Sequence, residues 1–222
     1  MEYRKLGTSE LNVSVIAFGA WGIAGGSMWG DQDEADSMDA LNAAVDAGIT
    51  FIDTAEGYGG GYSEEVIGRA LGKRRGDITL ATKVSPTNLA PYPKDLFVSN
   101  QLAYSIAFRA IEYALVGASL ERGMSIITYS SLLHGVLTGK FANADEVPEG
   151  RARTRHFSGS RPQARHGEAG HEETLFTLVD DIRAVAEEAG LSVREAAMLW
   201  VLSQKGIATI LAGSRTAAHA ES

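Results

Sequence analysis

The sequence predicts an α/β fold built on a parallel sheet or barrel, and three observations carry that expectation. Strand-like apolar runs alternate with segments of helical spacing, giving the order β-α-β-α-β over residues 1–84. The runs "ITFID" (49–53) and "ITLATKV" (78–84) are short and apolar on both faces, as strands covered by helices require. Asp53, Tyr58 and Lys83 stand at or just past the C-terminal ends of these runs, the edge where α/β folds gather ligands.

The elements follow in chain order. "YRKLGTSELNVSVIAFG" reads as two short strands about a Gly7-Thr8-Ser9 turn, and residues 19–30 form a Gly- and Trp-rich loop. Asp31 with Glu34 predicts a capping box for a helix whose apolar positions, Ala35, Met38, Leu41, Ala44 and Val45, recur at helical spacing; Gly48 ends it. Ser63 is the expected N-cap of "EEVIGRALG", and Gly72 its stop. The alternation falters over 84–96, "VSPTNLAPYPKDL", which holds three of the five prolines. It resumes with a strand in "FVSNQLAYS", a helix in "AIEYALVGASLERG" and a strand in "MSIITYS". A long polar loop, 142–171, is expected to be solvated. Helices over about 172–189 and 193–204 follow, the second opened by a Ser192–Glu195 capping box. "IATILAG" is the last strand, and a short helix from Thr216 to Ser222 closes the sequence. No linker divides it, so one domain over 1–222 is expected.

Composition excludes several classes. Hydrophobic residues make up 45% and charged residues 22%, ordinary for a globular protein. A net charge of −8 argues against nucleic acid or an anionic membrane as partner. There is no cysteine, so no disulfide, thiol nucleophile or thiolate metal site. Without a membrane-length apolar run or a signal-peptide core, a cytoplasmic location is expected. "GVLTGKF" (135–141) lacks the glycine spacing of a phosphate loop, and "HGEAGHEE" (166–173) lacks the second histidine of a zinc-protease helix.

The acid, phenol and amine suggest a specific chemistry. A phenol with a pKa of about 10 is a poor acid at neutral pH. A neighbouring ammonium favours its anion, and a carboxylate keeps that ammonium charged and oriented. Such a trio suits proton exchange with a carbonyl/alcohol pair. The accompanying hydride has no side-chain source, so a nicotinamide cofactor is implied.

"DTAEGYG" (53–59) together with "LATKV" (80–84) resembles the aldo-keto reductase superfamily. Three further segments, "SNQLAYS" (99–105), "ITYSSLLHGVLTGKF" (127–141) and "LAGSRTAAHAES" (211–222), extend the resemblance along the chain. It implies a (β/α)8 barrel of TIM type, here incomplete, with about six parallel strands behind an N-terminal β-hairpin. It implies NADPH-dependent reduction of small aldehydes or ketones, with Tyr58 as general acid tuned by Lys83 and Asp53. NADPH/NADP is the implied cofactor, with NADH the less expected alternative. Gln101 would hold the nicotinamide carboxamide, Tyr129 would stack on its ring, and Ser130 and Leu132 would lie along the pyrophosphate. Gly213, Ser214, Arg215 and His219 would meet the adenosine phosphate and Glu221 the adenine. Trp21 and Trp29 would either wall an apolar substrate pocket or cover the barrel mouth.

The sequence also departs from that family. The histidine of its "LHxPD"-like fourth-strand pattern has no counterpart among His134, His156, His166, His171 and His219. The fifth-strand "SNF"-like pattern is absent too, and the region of strands four and five is expected to be missing between about 84 and 97. Two omitted strands would open a gap of roughly 14 Å. Either the flanking strands close into a distorted six-stranded barrel or two sheet edges stay unpaired. A catalytically inactive relative that binds nucleotide or a protein partner is the alternative expectation.

Overall fold

In the computed structural model, which describes residues 1–83 and 97–221, the chain opens with a hairpin. β1 (Tyr3–Lys5) pairs antiparallel with β2 (Asn12–Ser14), placing Arg4 opposite Val13. Gly7 makes the turn between them possible. Its φ is +57°, and a Cβ there would lie 2.0 Å from the Val98 carbonyl oxygen.

The run "NVSVIAFG", expected as one strand, divides. Ser14 Oγ donates to the Ile16 carbonyl at 2.7 Å where the hairpin ends, and β3 (Ile16–Gly19) continues into a different sheet. There β3 pairs in parallel with β4 (Phe51–Asp53) and β8 (Ile207–Ala212). β5 (Thr79–Ala81) joins β4, β7 (Ser125–Tyr129) joins β8, and β6 (Ser99–Ala103) lies beyond β7. The order is β5-β4-β3-β8-β7-β6, six parallel strands of an incomplete barrel. Among the described residues β5 and β6 are the two ends of this sheet, and no pairing joins them. The expected connection over 84–96 and the end of the last helix at Ser222 lie outside the described residues.

Two helix starts differ from expectation, for the same kind of reason. α1 (Glu34–Asp46) is capped by Asp33, whose carboxylate accepts from the Asp36 N–H at 3.1 Å, and not by an Asp31–Glu34 box. The Glu34 carboxylate accepts from Tyr62 Oη and Arg69 on α2 (Tyr62–Leu71), so it does not reach back to complete a capping box. On α2, Gly61 occupies the cap position at φ +97°, while Ser63 lies buried one residue inside the helix. The stretch 110–123 is a 3-10 turn, Ala110–Tyr113, followed after a non-helical Ala114 by α3 (Leu115–Glu121). α4 (Glu172–Glu188) and α5 (Val193–Leu202) form as expected, and the Ser192–Glu195 capping box is present. α6 (Ala217–Glu221) is one short turn of helix. No helix among the described residues is long and apolar enough to cross a membrane.

The chain packs as two compact units, Met1–Leu102 with Glu112–Tyr129 and Lys205–Ser222, and Ala103–Ile111 with Ser130–Gln204. In the first, strand alternation sorts the apolar residues. Ala17 and Phe51 join Leu6, Val13, Ile127 and Ala208 in one cluster. Phe18 and Ile52 turn the other way, onto Leu41 and Ala44 of α1 and Ile67 and Leu71 of α2.

The second unit contains α4 and α5. Its long loop, expected to be solvated, instead contributes Ala144, Val147, Ala152 and Phe157 to the core around Val179 and Ala197. Arg161 organises this loop. Its Nε and one terminal nitrogen donate to the two carboxylate oxygens of Glu172 at 2.7 and 2.9 Å, and its guanidinium lies 5.6 Å from the centre of the Phe157 ring. That hydrogen bonding holds the Glu172 carboxyl below its usual range.

Two outcomes follow from this packing. Gly7→Ala should lower stability in a urea melt by about 1–3 kcal/mol, because the left-handed backbone and the Val98 carbonyl both exclude a side chain. Because folding lowers the Glu172 pKa, its stabilising contribution is complete above the unfolded value, about 4.3. The contribution is lost as pH falls through the lower folded value. Glu172→Gln should therefore be less stable than wild type at neutral pH and lose less stability on acidification through that window.

Candidate active site

Asp53 is the last residue of β4, two positions past Phe51 and therefore on the face that looks into the inner cluster. Its side chain is 5% exposed, a carboxylate that must find donors within the protein. It finds one for each oxygen: Lys83 Nζ donates to Oδ2 at 2.6 Å, and Gln101 Nε2 donates to Oδ1 at 2.7 Å.

An ammonium has three protons to donate, and those of Lys83 all have acceptors. Besides Asp53 they reach the Thr54 carbonyl at 3.0 Å and Tyr58 Oη at 3.2 Å. Lys83 is thus fixed in orientation although its side chain is 39% exposed. The Tyr58 oxygen accepts from the ammonium, which leaves the phenol's own proton to be donated elsewhere.

The loop that carries Tyr58 is locked from below. Thr54 and Ser63 are fully buried; Thr54 Oγ1 donates to Ser63 Oγ at 3.0 Å, and Ser63 Oγ donates to the Ala20 carbonyl at 3.0 Å. The Ser63 N–H in turn donates to the Tyr58 carbonyl at 3.2 Å. Gly59, Gly60 and Gly61, all at positive φ, let the chain turn between Tyr58 and α2.

Trp21 lies on the Tyr58 ring, centroids 5.9 Å apart and planes 17° from parallel, and Trp29 meets Trp21 edge-on at 5.7 Å. Trp21 therefore walls the phenol on one side, and Trp29 backs Trp21. Arg215 holds the loop that bears Trp29: its guanidinium donates to the carbonyls of Trp29 and Asp31, each at 2.6 Å, and to Gln32 Oε1 at 2.5 Å.

Of the residues expected at a site, the structure brings together Asp53, Tyr58, Lys83 and Gln101. Tyr129 ends β7 with 43% of its surface exposed. Gly213 follows β8, Ser214 is buried with Oγ donating to the Thr216 carbonyl, and His219 and Glu221 lie on α6.

Ser130 and Leu132 belong to the second unit. Ser130 takes φ +54° and its Oγ lies 3.3 Å from His134 Nε2; Leu132 packs at the margin of that unit's core. Burial pushes the His134 imidazole down to about 4, with Arg153 and Arg151 adding to the effect, so it is neutral at pH 7.

Sequence reasoning missed three features: the Thr54–Ser63 brace, the Arg215 clamp and the Gln101–Asp53 bond. The polar pair flanking the Tyr58 loop was visible, but Ser63 also fits a helix cap. Nothing local announces the other two.

A family model described as "Aldo/keto reductase family" matches residues 15–96 and 91–222, two segments whose junction falls where the strand–helix alternation falters. Aldo-keto reductase YhdN of Bacillus subtilis is 45% identical over 87 residues, 38% of this chain and 26% of YhdN, so that match spans about a quarter of the relative. The glycerol dehydrogenase AKR11B4 of Gluconobacter oxydans superposes with a TM-score of 0.75 at 22% identity, covering 98% of this chain and 87% of that one. An aldo/keto reductase of Klebsiella pneumoniae, solved in complex with NADP and acetate, superposes with a TM-score of 0.67 at 18% identity, covering 97% and 86%.

Lys83→Met should cost about 1–3 kcal/mol in a denaturant melt, because the nearly enclosed Asp53 carboxylate loses its cation and keeps only the amide. Asp53→Asn with Lys83→Met should recover part of that loss, since the charge that needed the cation is gone.

Proposed function

The chain belongs to the aldo/keto reductase family, and on that premise we propose that it reduces small aldehydes or ketones to alcohols, or runs the reverse, with NADPH. The observation that carries this reading is the saturated ammonium of Lys83, held by Asp53 and directed at Tyr58 Oη. The bound dinucleotide supplies the hydride. Tyr58 donates its proton to the carbonyl oxygen, and the negative charge that grows on the phenol oxygen is met by the ammonium 3.2 Å away. Asp53 keeps that cation in place throughout and is not consumed. Trp21 and Trp29 offer the carbonyl compound an apolar wall beside the proton donor.

The residues in the first unit fit a nicotinamide dinucleotide. Tyr129 presents an exposed ring at the C-terminal end of a strand, a surface on which a flat heterocycle can stack. The Gln101 amide, whose NH2 serves Asp53, has a carbonyl end able to accept from a carboxamide. A guanidinium has five N–H donors; the three bonds that Arg215 makes to Trp29, Asp31 and Gln32 leave donors for a phosphate oxygen. Gly213, Ser214, His219 and Glu221 extend that C-terminal segment. The Klebsiella relative solved with NADP supports the choice of NADPH over NADH. A cytoplasmic location belongs to the same proposal.

A second reading has its own support. Among the described residues the sheet has six strands where the family's barrel closes with eight, and the fourth-strand histidine has no counterpart in the sequence. On this reading the protein binds nucleotide without turning it over. Titrating NADPH fluorescence and then adding a reactive aldehyde separates the two: saturable binding with no oxidation supports the second.

With turnover established, Tyr58→Phe should lower the rate of NADPH oxidation about 10²–10⁴-fold while leaving the nucleotide titration unchanged. Equal rates in the two proteins would remove Tyr58 as the proton donor.

A further inference from the structure

The strand order sets up a problem that one side chain solves. From β4 to β6 is four strand intervals, about 19 Å across a flat sheet. Yet the amide of Gln101 on β6 lies 2.7 Å from the carboxylate of Asp53 on β4. The sheet therefore curls until its β6 edge faces Asp53 across the interior. Lys83, which follows the opposite edge strand β5, reaches the other oxygen of the same carboxylate. Asp53 thus receives one donor from each of the two sheet ends that, among the described residues, no strand pairing joins.

We propose that Gln101 is a positioning residue for proton transfer, acting through Asp53 and Lys83 on Tyr58. A carboxylate with a single partner can rotate about its Cβ–Cγ bond and carry that partner with it. Here Gln101 Nε2 anchors Oδ1, so Oδ2 stays turned toward Lys83 Nζ, and the ammonium keeps its remaining protons on the Thr54 carbonyl and Tyr58 Oη. The direction of the bond is unambiguous, because an ionised carboxylate only accepts and the amide nitrogen only donates. Gln101 does not touch the phenol. Its effect on Tyr58 is transmitted entirely through the orientation of Asp53 and the ammonium. This inference rests on the proposed proton donor for its kinetic consequence, but not for its structural content.

The deciding measurement is therefore made without nucleotide. The side-chain 15N resonance of the Lys83 ammonium, assigned by its disappearance in Lys83→Met, is observable only while hydrogen bonds hold its protons in slow exchange. Wild type should show it at low temperature and mildly acidic pH. Gln101→Met, similar in length but unable to donate, should broaden it beyond detection while circular dichroism reports a folded protein. An unchanged resonance in folded Gln101→Met overturns the proposal whether or not the protein has reductase activity.

If Gln101→Met does not fold, Gln101→Glu decides the matter. Its carboxylate opposes that of Asp53 at neutral pH, whereas its protonated form can donate as the amide does. Compared with wild type at each pH and temperature, the ammonium signal should be weaker where the introduced carboxyl is ionised and should match wild type once that carboxyl is protonated; a signal that never converges on wild type overturns the proposal. Where wild type turns over, Gln101→Met should lower kcat about tenfold at saturating nucleotide with the carbonyl KM little changed, the scale expected for one hydrogen bond to a charged group. Loss of the ammonium signal in folded Gln101→Met, alongside a wild type that shows the signal but does not turn over, would leave Gln101's positioning role standing and count only against the reductase reading.

Discussion

The Asp53 carboxylate is the constraint on which the first unit turns. A charge whose side chain is 5% exposed must be compensated from within, and its two oxygens receive an ammonium and an amide from the two ends of a sheet that does not close among the described residues. In a closed barrel the backbone ladder itself holds the ring of strands together. Here side chains span the interior where the ladder stops, so the groups proposed for catalysis also draw the sheet's edges together. Chemistry and architecture are coupled through one residue.

The geometry of Tyr58 follows from a second set of constraints. Asp53 and Lys83 stand at or just past strand ends and take their direction from the strands, whereas Tyr58 stands in a loop that glycines make and that a strand cannot orient. The buried chain from Thr54 through Ser63 to the Ala20 carbonyl substitutes for that missing rigidity. It also brings the Trp21 loop close, because Ala20 precedes Trp21, and the indole then stacks on the phenol. A loop residue is thereby held from beneath by hydrogen bonds and from above by a ring.

The second unit shows how charge can organise a segment that looks unstructured. Residues 142–171 have no strand and only one short 3-10 turn, and their composition is polar. The bidentate Arg161–Glu172 pair fastens the loop to the first turn of α4, and the Phe157 ring packs under the guanidinium. With that anchor in place Ala152 and Phe157 are fully enclosed. Solvation was the natural expectation because the apolar residues are sparse and lack periodicity, the two properties from which burial is ordinarily inferred.

What the sequence alone determined was whatever depends on near neighbours along the chain. The strand–helix alternation, the Ser192–Glu195 capping box, the Gly72 stop and the acid, phenol and amine beside their strands are all patterns a few residues wide, and the structure contains each of them. Tertiary structure decided the features whose partners are remote. Ser63 bonds Ala20, 43 residues away, and so is no cap; Gln101 bonds Asp53 across 48; Arg215 bonds Gln32 across 183. The physical reason is the same each time. A polar side chain satisfies whichever acceptor or donor folding brings within about 3 Å, and which one that is depends on how the strands curl, not on the residues beside it in the chain.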